Sequence, residues 1–112
     1  MDDDLHFEVK DFQGRIIRCT EVHWQDHILG VNHPYMNGAE NDVVSALQHP
    51  EHGFRCFDRI YPNRRVYYKL SESKDYFIKV VVEFKDRPCN GTGYLVTAYM
   101  PDEMTDGEKP EI

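Results

Sequence analysis

From Tyr76 to Phe84 the chain reads Tyr-Phe-Ile-Lys-Val-Val-Val-Glu-Phe, its most apolar run. Side chains on a strand alternate between faces. Tyr76, Ile78, Val80, Val82 and Phe84 therefore share one side, and Phe77, Lys79, Val81 and Glu83 share the other. The flanking stretches Arg65–Leu70 and Gly93–Met100 alternate in the same way. Val66, Tyr68 and Leu70 are expected to point one way, and Arg65, Tyr67 and Lys69 the other. In the last stretch Leu95, Thr97 and Tyr99 oppose Tyr94, Val96, Ala98 and Met100. β-branched and aromatic residues dominate all three, and turn formers at 71–75 and 86–92 separate them. The pattern predicts an antiparallel meander with one apolar face and one face carrying Arg, Tyr, Lys and Thr.

The residues upstream supply what covers the apolar face. Leu5 to Arg18 reads as a hairpin turning at Gln13-Gly14. Thr20 is a helix N-cap with Glu21 in the first turn, where negative charge suits the helix dipole. That helix is expected to run to about Val31 and to stop before Asn32-His33-Pro34. Trp24, Ile28 and Val31 form its buried stripe, and His23 and His27 share a neighbouring one. Residues 34–38 read as a loop. A second helix opens at Glu40 or Asn41 and ends near His49-Pro50, with Val43, Val44 and Leu47 on its apolar side. Residues 54–60 read as a further strand. The expected fold class is α+β: an N-terminal hairpin, then two short helices packed on one face of a four-stranded antiparallel sheet, whose other face stays partly open.

A chain of 112 residues suffices for one domain with a core, assigned here to residues 1–100. Residues 101–112 have acids, Gly and Pro but almost no apolar side chains, and are expected to be a disordered tail. The net charge of −7 is concentrated at the ends: residues 1–11 and 101–112 each hold five acids and one base. Residues 12–100 hold ten acids against eleven bases. Arg55, Arg59, Arg64, Arg65 and Lys69 crowd into one stretch where Asp58 is the only acid, which reads as a solvated strand edge or as a local anion site. Cys19, Cys56 and Cys89 form no Cys-x-x-Cys pair, which points to a reducing cytoplasm. No run approaches a membrane span, and the acidic start is unlike a signal peptide, so a cytoplasmic protein without a membrane partner is expected.

Two constellations carry chemistry. His23 and His27 have the spacing of helical metal ligands, with His33 just beyond, but Trp24 stands where a metalloprotease would have Glu. The other readings are ordinary helix histidines and a general acid or base near neutral pH. The second set is Arg64, Arg65, Tyr67 and Lys69 with Thr97 and Tyr99. Arginine forks onto phosphate, lysine supplies a point charge, and tyrosine stacks on a base or donates its hydroxyl. These are the parts that metal-free RNA cleavage needs, although the same alternation also occurs on faces that are merely solvated.

In order along the chain come Thr20-Glu21-x-x-Trp24-x-x-His27-Ile28, Asn32-His33-Pro34, Val44-x-x-Leu47-x-x-Pro50, Asn63 to Lys69, Tyr76 to Phe84, and Val96-Thr97-Ala98-Tyr99. This series resembles the phage- and toxin-associated nuclease domains of the barnase–EndoU–colicin–RelE-like type, over about residues 15–100. The resemblance implies a small α+β domain cutting RNA without metal or other cofactor, often as a toxin with an antitoxin or immunity protein as partner. It implies His27 or His33 as the acid–base group, Arg65 and Lys69 as phosphate-holding cations, Tyr67 as a stacking or proton-donating group and Thr97 as a polar residue of the last strand. Arg64, Arg59 and Tyr99 are expected to bind substrate. The acidic ends and Tyr35, where an acid is expected after His33-Pro34, depart from the pattern. The expected function is a toxin-like or phage-related RNA endonuclease acting through 2′-hydroxyl attack. The second reading is a non-catalytic module of the same fold that binds a basic protein through its acidic termini.

Overall fold

The computed structural model describes residues 4–50, 63–86 and 90–103, without the side chains of Val31, Asn32, Pro34 and Asn90. The strand expected over 54–60, Arg59, and the tail beyond 103 lie outside the described residues. The elements are β1 (Leu5–Lys10), β2 (Ile16–Thr20), a helix α1 that begins as an α-turn over Glu21–His23 and continues as a π-helix over Trp24–Asn32, a 3-10 turn at Pro34–Met36, α2 (Glu40–Gln48), β3 (Arg64–Leu70), β4 (Phe77–Asp86) and β5 (Asn90–Tyr99).

The class is α+β with two short helices, as the pattern predicts, but the sheet has five strands and is mixed. Its order is β1-β2-β5-β4-β3. The meander β3-β4-β5 is antiparallel throughout. The hairpin is not a separate appendage: β2 joins the meander parallel to β5 through Ile17–Gly93 and Arg18–Tyr94. Parallel neighbours require a long crossover, and here both helices, β3 and β4 lie between them in the chain. Gly93 permits this junction. A Cβ there would stand 2.6 Å from Val82 Cγ1 and 2.9 Å from Ile17 Cδ1 and Phe84 Cε1.

The core lies between the sheet and the helices. Ile17, Cys19, Tyr67, Ile78, Val80, Val82, Phe84, Leu95 and Ala98 from the strands meet Trp24, Ile28, Met36, Val43, Ala46 and Leu47. Thr20 caps α1, its hydroxyl accepting from His23 N at 3.2 Å. The helix then widens into i→i+5 bonding, closed by His33 N donating to Ile28 O at 2.8 Å. Gly30 accommodates that turn, since a Cβ on it would stand 2.9 Å from Gln25 O. No helix among the described residues is long and apolar enough to cross a membrane.

The assignment of faces departs from the expectation. The β3–β4 register pairs Arg65 with Val82, Tyr67 with Val80 and Lys69 with Ile78. Arg65, Tyr67 and Lys69 therefore share the face of the apolar β4 set, beneath the helices, whereas Val66, Tyr68 and Leu70 face away. On β5 a bulge at Val96 breaks the alternation: Leu95 pairs with Val82, but Thr97 pairs with Val81. The extra residue lets Leu95 and Ala98 both reach the core, and it puts Tyr94 on the same outer face as Thr97 and Tyr99.

Candidate functional site

The hairpin turn explains where the predicted cations of β3 go. Gly14, at φ +85°, closes the turn. Asp11 Oδ1 accepts from Gln13 N at 2.9 Å and Arg15 N at 2.8 Å. Its other oxygen accepts from Tyr67 Oη at 2.7 Å and lies 3.9 Å from Arg65 Nη1. Arg65 also donates to Gln13 Oε1 at 2.8 Å. Asp11 and Arg65 are both buried, at 5% and 3% exposure. Phe12 packs edge-on against the Tyr67 ring. Lys69 Nζ donates to His49 O at 3.2 Å, at the C-terminal end of α2, where a cation suits the dipole. Arg65, Tyr67 and Lys69 thus fasten the hairpin and α2 to β3.

The predicted set is therefore divided. His33, Tyr99 and Thr97 gather on the outer face, Arg64 lies at the far end of that face, and Arg65, Tyr67 and Lys69 lie on the inner one. His33, in the exit from α1, stacks on Tyr99 with ring centroids 5.0 Å apart and 14° between planes. Its Nδ1 lies 3.2 Å from Tyr35 Oη, which accepts from Met100 N at 3.3 Å. Lys79, paired with Tyr99 across the strands, places its ammonium 5.4 Å from the centroids of both the Tyr99 and the Tyr68 rings. Burial lowers the proton affinity of His33, so its ring is neutral at pH 7. The outer face is not uniformly open: Val66, Tyr68 and Lys79 are buried, Thr97 and Tyr99 half-buried, and Tyr94 exposed.

The other two histidines of α1 sit apart from that stack. His23 and His27 stack on each other with centroids 4.8 Å apart. His23 Nε2 donates to Val96 O at 2.9 Å, which ties the helix to the bulge of β5. His27 is exposed on the helix surface. Among the described residues no group of three or more His, Cys, Asp and Glu stands close enough to hold a metal ion. Burial, followed by the charges of Glu21 and Glu40, pushes the Cys19 thiol up to about 12, so it is inert as a nucleophile.

Beside β5, β2 turns away into α1 after only two paired positions, and a groove of about 320 Å³ opens there over Arg18, Tyr94, Glu83 and Arg64. Arg18 Nε bonds Glu8 Oε1, and Arg64 Nε donates to Glu83 Oε1 at 3.3 Å.

Lys79, Tyr68, Tyr94, Arg18 and Glu83 were not among the residues singled out from the sequence. The available signal was the strictly apolar even set of β4: its neighbours on β3 must share the core face, whatever their polarity.

Compared with known proteins, the chain matches no family model, no curated protein and no solved structure.

Proposed function

We propose that this chain is a metal-independent ribonuclease with a barnase/RelE-like fold, toxin-like or phage-related, that works from the outer face of its sheet. The observation that supports this reading best is the stack of His33 on Tyr99, with the Lys79 ammonium against the same tyrosine ring. It brings a neutral imidazole, a phenol and a fixed positive charge into one place. A base, an acid and a cation are what 2′-hydroxyl attack requires.

In this reading His33 Nδ1–H donates to Tyr35 Oη, which leaves Nε2 as the base. It takes the proton of a ribose 2′-hydroxyl as the 2′-oxygen bonds to phosphorus. The bond from phosphorus to O5′ breaks, and the Tyr99 hydroxyl gives O5′ its proton. The products are a 2′,3′-cyclic phosphate and a free 5′-hydroxyl. Lys79 is only 4% exposed, so it acts as a charge beneath the rings. Thr97, on the same face, holds the phosphate from solvent, and Arg64, at the far end of that face, meets the RNA strand beyond it. His27 and the inner-face residues Arg65, Tyr67 and Lys69 have no part in the chemistry here. The partners are single-stranded RNA and a protein inhibitor that covers this face.

The test is cleavage of single-stranded RNA in EDTA by the purified chain, with end groups read by mass spectrometry. Fragments ending in cyclic phosphate are expected, and His33→Ala should slow cleavage about a hundredfold or more while folding normally. Intact RNA with the unaltered protein, or undiminished cleavage by His33→Ala, overturns the reading.

A further inference from the structure

The outer face carries a second feature, at the other end of β5 from the His33 stack. Strand pairing lines up Glu8 with Arg18, Arg18 with Tyr94, Tyr94 with Glu83, and Glu83 with Arg64. One row thus crosses all five strands, with a tyrosine at its centre and an arginine on either side. At about 4.8 Å per strand, the Cα atoms of Arg18 and Arg64 stand roughly 14 Å apart. Glu8 and Glu83 fix the direction of the two guanidiniums. Tyr94 is 44% exposed, one of the few large rings left in solvent among the described residues. The groove above the row, about 320 Å³, has the size of a small ligand site.

We infer that this groove binds one nucleotide of a single-stranded RNA, its base stacked on Tyr94 and its flanking phosphates held by Arg18 and Arg64. The inference rests on the ribonuclease reading and extends it to a substrate several nucleotides long. Tyr94 and Tyr99 lie on one strand at roughly 3.3 Å per residue, hence about 16 Å apart, a span of roughly two or three nucleotides of extended strand. An RNA whose scissile phosphate is at His33 and Tyr99 therefore reaches the groove with its neighbours. The two arginines are balanced by two glutamates within the row, so stacking supplies most of the affinity, and salt weakens binding only gently. The carboxylate of Glu83 accepts from the exocyclic amine of a base and disfavours a phosphate placed at the centre of the groove.

The experiment uses a fluorescent hexanucleotide with 2′-O-methyl riboses, which cannot be cleaved, and reads its anisotropy. Tyr94→Ala should weaken binding roughly tenfold to a hundredfold, Tyr94→Phe should bind like the unaltered chain, and Arg18→Ala should lie between them. A cleavable dinucleotide, too short to reach the groove, should be cut equally by all four proteins. Hexanucleotide binding unchanged in Tyr94→Ala overturns the subsite, and cleavage by the unaltered chain would then leave the ribonuclease reading standing. If the unaltered chain neither binds nor cuts RNA, both fall. The alternating charges of the row also match a second copy turned about a two-fold axis through Tyr94. A sedimentation change in Tyr94→Ala without a change in RNA affinity would assign the row to that contact and overturn the nucleotide site.

Discussion

β3 carries two tyrosines side by side with opposite fates. Tyr67 points under the helices and gives its hydroxyl to the buried Asp11, beside Arg65. Tyr68 points the other way, and its ring faces the Lys79 ammonium next to Tyr99 and His33. In the inner network Tyr67 donates to Asp11, Arg65 to Gln13 and Lys69 to His49 O, and the effect is to fasten the hairpin turn and α2 to the sheet. The outer row ends at half-buried or exposed groups. A polar cluster whose groups join one element to another holds the fold, and one that presents rings and cations at the surface is available to a ligand.

The sharpest test of that contrast removes the inner carboxylate. Asp11→Ala removes the buried carboxylate that stands beside Arg65 and accepts from the Tyr67 hydroxyl. We expect a loss of about 3–5 kcal/mol in urea denaturation. A loss below about 1 kcal/mol would mean that the inner cluster is not structural. Next in size is Gly93→Ala, at the parallel junction. Its new methyl meets Val82, Ile17 and Phe84, and overpacking of this kind costs about 1–3 kcal/mol by the same measurement. A neutral result would show that β2 and β5 separate without penalty.

On the outer face the expectation reverses. Thr97→Val should change stability by no more than about 0.5 kcal/mol, yet slow RNA cleavage severalfold. Equal effects on both readouts would erase the distinction between the faces.

The smallest effects concern pH, and two histidines should respond in opposite senses. His6 gives Nδ1 to Glu21 at 2.6 Å and Nε2 to Glu40 at 3.0 Å, and it stacks on Trp24. Burial works against its charge, but the two carboxylates outweigh it and raise its proton affinity above the ordinary 6.5. Its contribution to stability is therefore full below about pH 6.5 and is lost as the pH climbs through the raised folded-state value. His6→Gln should flatten that decline in denaturation curves taken from pH 6 to pH 9. His33, lowered by burial, should give cleavage an acid limb centred below pH 6.5. An acid limb above that value would assign the proton transfer to a different group.

Much of the architecture was legible in the residues. Thr20 marked the start of α1, Gln13-Gly14 the hairpin turn, and the three alternating runs the meander, each within three residues. These are local signals: a cap, a turn and a period of two act among neighbours in the chain. The π-helical course of Trp24–Asn32 was not legible, because its apolar spacing fits an ordinary helix equally well. Nor was the site. Arg65, Tyr67 and Lys69 look like a surface set because polar side chains are usually exposed, and here the hairpin brings Asp11, Gln13 and the end of α2 over them. His33, Thr97, Tyr99 and Arg64 were recognisable by type, but their companions Tyr68 and Lys79 were not.

By itself the sequence determined which residues alternate on β3 and β4, where α1 and α2 begin, and that the β4 run must lie against a core. Only the tertiary structure decided which face of β3 is the inner one, that β2 pairs with β5, and that a single extra residue at Val96 turns Tyr94 outward beside Thr97. The physical reason is that parity along a strand is local, whereas the register between strands and the partner that buries a face are set by groups far apart in the chain.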